Sequence, residues 1–500
     1  MAVLESIISF LYSNALVILV VVPILHFGHN YFTPGARSVP GPFFAKLTDL
    51  WRYFDVAKGH PETTLYRLHK KYGDYVRLGP NVVSVRNLDA LKEIYGINNG
   101  YKKVLTSPLP NFIPPLHDDF HAAIKRPISG AYSMSTLTEF EPFVDSTIHT
   151  FFRRLNGFAE KKEQCDIAKW LQYYAFDVIG ELTFGKPLGF LETGRDVDGI
   201  LESIEKNMDY AGKTGQMPWL DYLLVKNPVR QLLRGGSTTA IAQFANNRLQ
   251  ERLSQSGTKS NARRDFLSRF FEAQVEHPKI VNDRQVLSYT ITNVNAGSDT
   301  TAISLRAVLY YTLKNPRVYA KLREELDDAT GSGRISSPVT WKESQELPYL
   351  DAVIKEALRL HPAVGLLLER IVPEGGLKLP DGPYLPPGTI VGVNPWIIHR
   401  SDIFGKDLDA FIPERWLQGD KESNAEYAAR KQKMTRATYT FGAGTRTCIG
   451  KNISLLEIYK LIPSLFQTYD IELGNPDREW ETVNAWFVRQ TNMDIKLSRR

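Results

Sequence analysis

Cysteine is almost missing from this chain: 500 residues contain two, Cys165 and Cys448, far apart in the sequence. That excludes the disulfide framework of a small secreted scaffold and fits a body kept in a reducing compartment, where each thiol acts alone. Basic runs and basic-aromatic interleaving are missing too. Lys plus Arg number 61 against 55 Asp plus Glu, a formal +6, and nothing in that pattern marks nucleic acid as a partner. The excess reads as a solvated surface, or as a docking face for an acidic partner or an anionic membrane. No internal repeat or low-complexity block interrupts the chain. With 43% hydrophobic and 23% charged residues, it has the composition of a folded body able to bury a large core.

Charge is absent altogether between Glu5 and Arg37, and within that gap lies the apolar stretch Ile7 to Phe27. At about 1.5 Å per residue this stretch is long enough for a bilayer core of about 30 Å, so it predicts a transmembrane anchor over residues 1–30. A cleaved signal peptide fits less well, because no basic segment precedes the apolar run and no small-residue cleavage pattern follows it. Glu5 before the span and Arg37 and Lys46 after it predict a single-pass protein with its N-terminus lumenal and its body cytosolic. Pro34, Pro40 and Pro42 with Gly35 and Gly41 make residues 31–45 a stiff connector, leaving 46–500 as one large domain. Within it, Asp74–Asn87 carries a hairpin signal around Gly79-Pro80-Asn81, Gly375–Pro395 is a second strand-and-turn region, and most of the rest shows helical spacing.

The stretch FGAGTRTCIG, Phe441 to Gly450, holds three glycines and Cys448. A phosphate loop needs four residues between its glycines and a Ser or Thr after the lysine; here five separate Gly444 from Gly450, and Asn452 follows Lys451. Zinc would need further Cys or His ligands close by, and none is present. A glycine-rich turn without chemistry remains the plain alternative. The spacing does suit a thiolate at a helix start: Leu455, Ile458, Tyr459 and Ile462 follow at helical intervals, and the positive helix end stabilises an anion. An axial cysteinate for haem has those requirements.

Phe441, Gly444, Arg446, Cys448 and Gly450, as F-x-x-G-x-R-x-C-x-G, resemble the haem-binding signature of the cytochrome P-450 superfamily. Glu356 and Arg359 in KEALRLHP, Arg415 in PERW, and AGSDTT at Ala296–Thr301 resemble three further motifs of that family, in its order. The resemblance implies a mainly α fold with small β regions, preceded by one N-terminal transmembrane helix, with haem b (iron protoporphyrin IX) held by Cys448. It implies a structural network of Glu356, Arg359 and Arg415, although helical periodicity alone puts Glu356 and Arg359 on the face away from the core as an exposed pair. Ala296 and Gly297 would lie against the haem, Thr300 would support oxygen activation, and Asp299 would help relay protons. Arg446, Arg370 and Lys125 are the cationic candidates for the haem propionates; the family commonly has Trp and Arg where His121 and Lys125 stand. The stretch Arg284–Asn315 reads as one long helix whose middle, Gly297 to Thr301, is unusually polar.

By the same resemblance, the substrate pocket takes residues from the loop after Lys102, the region Met208–Leu224, Val294, Ala363, Val364, Leu366, Leu367, Trp486 and Phe487. Such a lining suits a lipophilic small molecule, and runs such as VNPWIIHRSDIFGKDLDAFIPERW resemble the fungal secondary-metabolism branch near pisatin demethylase-like enzymes. The implied activity is monooxygenation with O2, hydroxylation or oxidative demethylation, of a terpenoid first and a polyketide or aromatic compound next. No flavin or nicotinamide motif is present, so electrons would come from NADPH through a separate cytochrome P-450 reductase on the endoplasmic reticulum membrane. A haem-thiolate isomerase or dehydratase, and a membrane-anchored haem-binding protein without turnover, are the alternatives.

Overall fold

Apolar residues at helical spacing run through most of the body. The computed structural model, which describes residues 13–104, 118–224, 227, 240–255 and 264–500, is accordingly mainly helical with small β-sheets. Its largest apolar cluster joins residues from Ile128 to Leu497 and includes helices α4 (Ile167–Phe184), α6 (Asp299–Leu313) and α8 (Lys451–Thr468). A second cluster lies under a five-stranded sheet. In that sheet the expected hairpin, Tyr75–Gly79 with Val82–Val85, pairs in parallel with Ile390–Gly392, and Arg370–Ile371 continues the sheet from there.

At the N-terminus, helix α1 (Ala15–Tyr31) exposes Val17, Leu19 and Leu25. The first part of the expected span lies outside the described residues, and among the described residues no helix is long and apolar enough to cross a membrane. The C-terminal end of α1, where the connector begins, is fastened to the body. Arg77, fully buried, donates to the carbonyls of Tyr31 at 3.1 Å, Asn30 at 2.5 Å and Pro80 at 2.7 Å, and so satisfies the open C-terminal end of α1. Gly41 lies against the same residue, where a Cβ would meet the Arg77 carbonyl oxygen at 2.2 Å. Helix α2 (Leu50–Ala57) follows.

The single long helix expected over Arg284–Asn315 is two helices, α5 (Asp283–Gly297) and α6, separated at Ser298. Polar side chains flank the break. Ser298 Oγ donates to the Val294 carbonyl and Thr300 Oγ1 to the Ala296 carbonyl, each at 2.9 Å, so side-chain hydroxyls take acceptors that the next turn's N–H groups would use. Gly297 packs against Ile179 of α4, where an added Cβ would come within 3.0 Å of the Ile179 side chain.

Candidate active site

The loop around Cys448 is built from its backbone. Gly442 and Gly444 take positive φ values of 69° and 67°, which glycine adopts without steric cost, and a Cβ at Gly444 would meet the Tyr95 carbonyl oxygen at 2.2 Å. The Cys448 N–H donates to the Phe441 carbonyl at 2.9 Å and closes the loop, and α8 begins three residues later. Burial raises the Cys448 thiol pKa, while N–H groups of Gly450 and Lys451 and the charges of Lys125 and Lys451 act in the opposite direction. The side chain is nevertheless exposed, because it opens onto an internal cavity of about 240 Å³. Cys165, by contrast, is fully buried and its thiol is pushed up to about 12.

Thr300 and Ser304 line the same cavity from α6. Thr301 turns the other way, and its hydroxyl meets that of Ser454 on α8 at 2.7 Å, tying the broken helix to the helix that follows the thiol. Asp299 does not line the cavity. It is buried on the far side of the break, where it accepts a hydrogen bond from Gln172 and faces Arg306, which itself donates to Gln172 and to the Ala168 carbonyl. Desolvation raises its pKa to about 6, against the pull of Arg306 and Arg489.

Of the cations proposed for the propionates, Arg446 and Arg370 line the cavity. The Arg370 guanidinium sits 4.9 Å above the Tyr95 ring and donates to the Glu369 carbonyl. Lys125, at the end of α3 (Asp118–Lys125), donates to the Thr447 carbonyl at 3.1 Å, so it braces the cysteine loop from outside the cavity lining. His121 lies one turn earlier on α3 and is also outside the lining. Phe441 lies in the cavity wall with Cys448, whereas Ala296 and Gly297 are outside the lining, Ala296 exposed and Gly297 half-buried at the end of α5.

Ala363, Val364, Leu366, Leu367 and Trp486 line the cavity as the sequence predicts; Val294 and Phe487 do not. Val294 is fully buried in the helical core, its carbonyl held by Ser298. Phe487 starts the second strand of the hairpin Glu481–Ala485/Phe487–Thr491, and the residue that turns between the two strands, Trp486, is the one that reaches the cavity. Trp486 itself has φ of 97°, a conformation costing a bulky residue roughly 1–3 kcal/mol and found mainly where surrounding structure imposes it. From Met208–Leu224 only Gln216 reaches the lining, and residues 105–117, the rest of the loop after Lys102, lie outside the described residues.

Below the cavity, Glu356 and Arg359 of α7 (Pro348–Leu360) are both fully buried, so the exposed pair suggested by helical periodicity is not what forms. Arg359 meets Glu356 through two hydrogen bonds of 2.8 Å, and Arg415 Nε, Trp416 Nε1 and the Ile412 N–H also donate to that carboxylate. Arg359 further holds the carbonyls of His399 and Leu408. The His399 ring joins this network to the cysteine loop: Nδ1 donates to the Arg359 carbonyl and Nε2 accepts from the Tyr439 N–H at 2.8 Å. Burial lowers its pKa to about 3, which keeps that neutral tautomer.

Among the described residues no group of three His, Cys, Asp or Glu side chains is arranged for a metal ion. One sulfur at a cavity wall therefore suits a metal that carries its other ligands with it. The glycine cradle, the N–H groups aimed at the sulfur and two arginines in the wall fit an iron porphyrin with acidic side arms. These features define a haem-thiolate oxidoreductase.

The comparison with known proteins is more specific. The Cytochrome P-450 family model matches residues 39–497. A cytochrome P-450 monooxygenase of Aspergillus terreus is 42% identical over 94% of this chain and 98% of its own length. Cytochrome P-450 monooxygenases cicH and pkfB of Emericella nidulans are 42% and 40% identical over 92% of this chain, and over 93% and 91% of theirs. The chain belongs to the cytochrome P-450 superfamily, among its fungal monooxygenases, and is a haem-thiolate monooxygenase.

Proposed function

We propose that this enzyme inserts one oxygen atom from O2 into a lipophilic secondary metabolite, by hydroxylation or oxidative demethylation. A terpenoid is the favoured substrate, ahead of a polyketide or aromatic compound. The observation that carries the reading is that Cys448 and Thr300 line one cavity whose remaining wall is largely apolar. Haem bound to Cys448 would supply oxygen activation. Arg446 and Arg370 would hold its propionates, Lys125 would brace the cysteine loop, and Ala363, Leu367 and Trp486 would pack against substrate. Thr300 keeps its hydroxyl at the wall by donating to the Ala296 carbonyl, and its oxygen remains able to accept a proton-bearing partner in the cavity. Asp299, buried behind the break with a pKa near 6, is suited to pass protons toward Thr300.

Electrons would come from NADPH through a separate flavoprotein reductase. The membrane assignment, with the body on the cytosolic side of the endoplasmic reticulum, is supported by a band of exposed apolar side chains, Phe32, Phe43, Phe44 and Phe54, continuing from α1. The decisive test is the absorption of the reduced, carbon monoxide-bound protein. A Soret band red-shifted by thiolate ligation is expected in the native chain and absent in Cys448→Ala; an unchanged band in that variant refutes the assignment. Product mass after reconstitution with reductase separates oxygen insertion from isomerisation or dehydration.

A further inference from the structure

Besides the residues that would hold haem or handle oxygen, the cavity wall has a charged part. Arg52 of α2 donates through Nη2 to Glu369 Oε1; both side chains line the cavity and each is 8% exposed. Asp49 stands 3.7 Å from Arg52 Nη1, and Asp55 lines the same wall. Around them the lining is apolar, with Trp51, Val56, Leu65 and Leu78. Glu369 adjoins Arg370, but the two side chains have different partners, Arg52 for one and the Tyr95 ring for the other.

A buried ion pair contributes little more to stability than a well-packed apolar pair of similar volume. What the pair supplies and an apolar wall lacks is direction: Arg52 only donates, Glu369 ionised only accepts, and their charges cancel. The wall carries Arg52, Lys103 and Arg370 against Asp55 and Glu369, so a ligand charge of either sign placed here meets like charge as well as opposite charge. A neutral hydroxyl is the group that accepts from one and donates to the other. We propose that Arg52 and Glu369 form a polar subsite for an alcohol or phenol hydroxyl on the substrate, fixing which end of a lipophilic molecule is presented to the reacting centre. The proposal rests on the monooxygenase reading above and narrows its substrate class.

The test uses the haem-loaded full chain, equilibrium dialysis, and two probes differing only at the hydroxyl: para-phenylphenol and its methyl ether. The phenol should bind about tenfold tighter than the ether to the native protein, the order expected for a hydrogen bond to a charged group. In Arg52→Met/Glu369→Leu, which removes the two charges of the pair together and leaves Asp49 without Arg52, the two probes should bind alike and the ether as it does to the native protein. Equal binding of the probes to the native protein overturns the proposal. So does a phenol preference that survives in the double variant, or a loss of ether binding as large as the loss of phenol binding, which would mean that the pair only shapes the wall. The carbon monoxide spectrum of each protein keeps the outcomes separate, because a missing thiolate signature in the native chain refutes the haem assignment whatever the dialysis gives.

Discussion

Glu356→Ala removes the acceptor of five hydrogen bonds at once: two from Arg359 and one each from Arg415, Trp416 and the Ile412 N–H. Arg359 keeps its carbonyl partners and Arg415 keeps the carbonyls of Phe404, Lys406 and Asp407, so neither guanidinium loses every contact. Both lose their counter-charge at sites that are 0% and 7% exposed, where a broken buried pair costs about 3–5 kcal/mol. At about 1.4 kcal/mol per tenfold, the lower figure raises the unfolded fraction more than a hundredfold, a large part of the 5–15 kcal/mol typical of a folded domain. Replacing the pair together, as Glu356→Leu/Arg359→Met, leaves fewer stranded charges and should recover at least half of that loss. Guanidinium unfolding should be followed twice, by far-ultraviolet circular dichroism and by haem absorbance. Because His399 links the network to the Tyr439 N–H, haem release should precede loss of helix in Glu356→Ala. A destabilisation below about 1 kcal/mol would refute the reasoning, since that is the range of an exposed pair.

Thr300→Ala should leave NADPH consumption in progress while product per NADPH falls severalfold, read by comparing product with cofactor oxidised; unaltered coupling would remove Thr300 from the oxygen chemistry. Asp299 has a folded pKa of about 6 against 3.8 for the free carboxyl. Between those values the folded protein holds a proton that the unfolded chain has released, so its contribution to stability is greatest at low pH and falls as pH rises through the window, by about 3 kcal/mol in all. Asp299→Asn should flatten that part of the stability curve between pH 4 and 6, measured by denaturant unfolding, and an unchanged slope would show that the carboxyl is not buried as described.

The cysteine loop was legible because its meaning is local: three glycines, one thiol and the start of a helix lie within ten residues. The α7 pair was misleading on periodicity, because a hydrophobic stripe locates the core but cannot register the segment 399–416, which covers the opposite face with backbone carbonyls and Arg415. Only the resemblance put that arginine there. The polar middle of the long helix was visible in sequence, yet the break was not, because hydroxyls bonded to the carbonyl four residues back occur both at Ser298 and Thr300 and within unbroken helix at Thr290 and Ser304. Trp486 and Phe487 are neighbours of similar character, and the backbone turn at Trp486 decides which of them meets the cavity. No pattern along the chain pairs Arg52 with Glu369, which are 317 residues apart.

The five donors around Glu356 come from two separate stretches of chain, α7 and residues 412–416, so the carboxylate cannot change without leaving both arginines short of their counter-charge. None of them lines the cavity, whose wall residues have no share in that carboxylate. A lineage carrying this arrangement is bound at the network and at liberty in the pocket: Ala363, Leu367 and Trp486 can be exchanged one at a time for new substrates, while Glu356 and its partners drift only as a set.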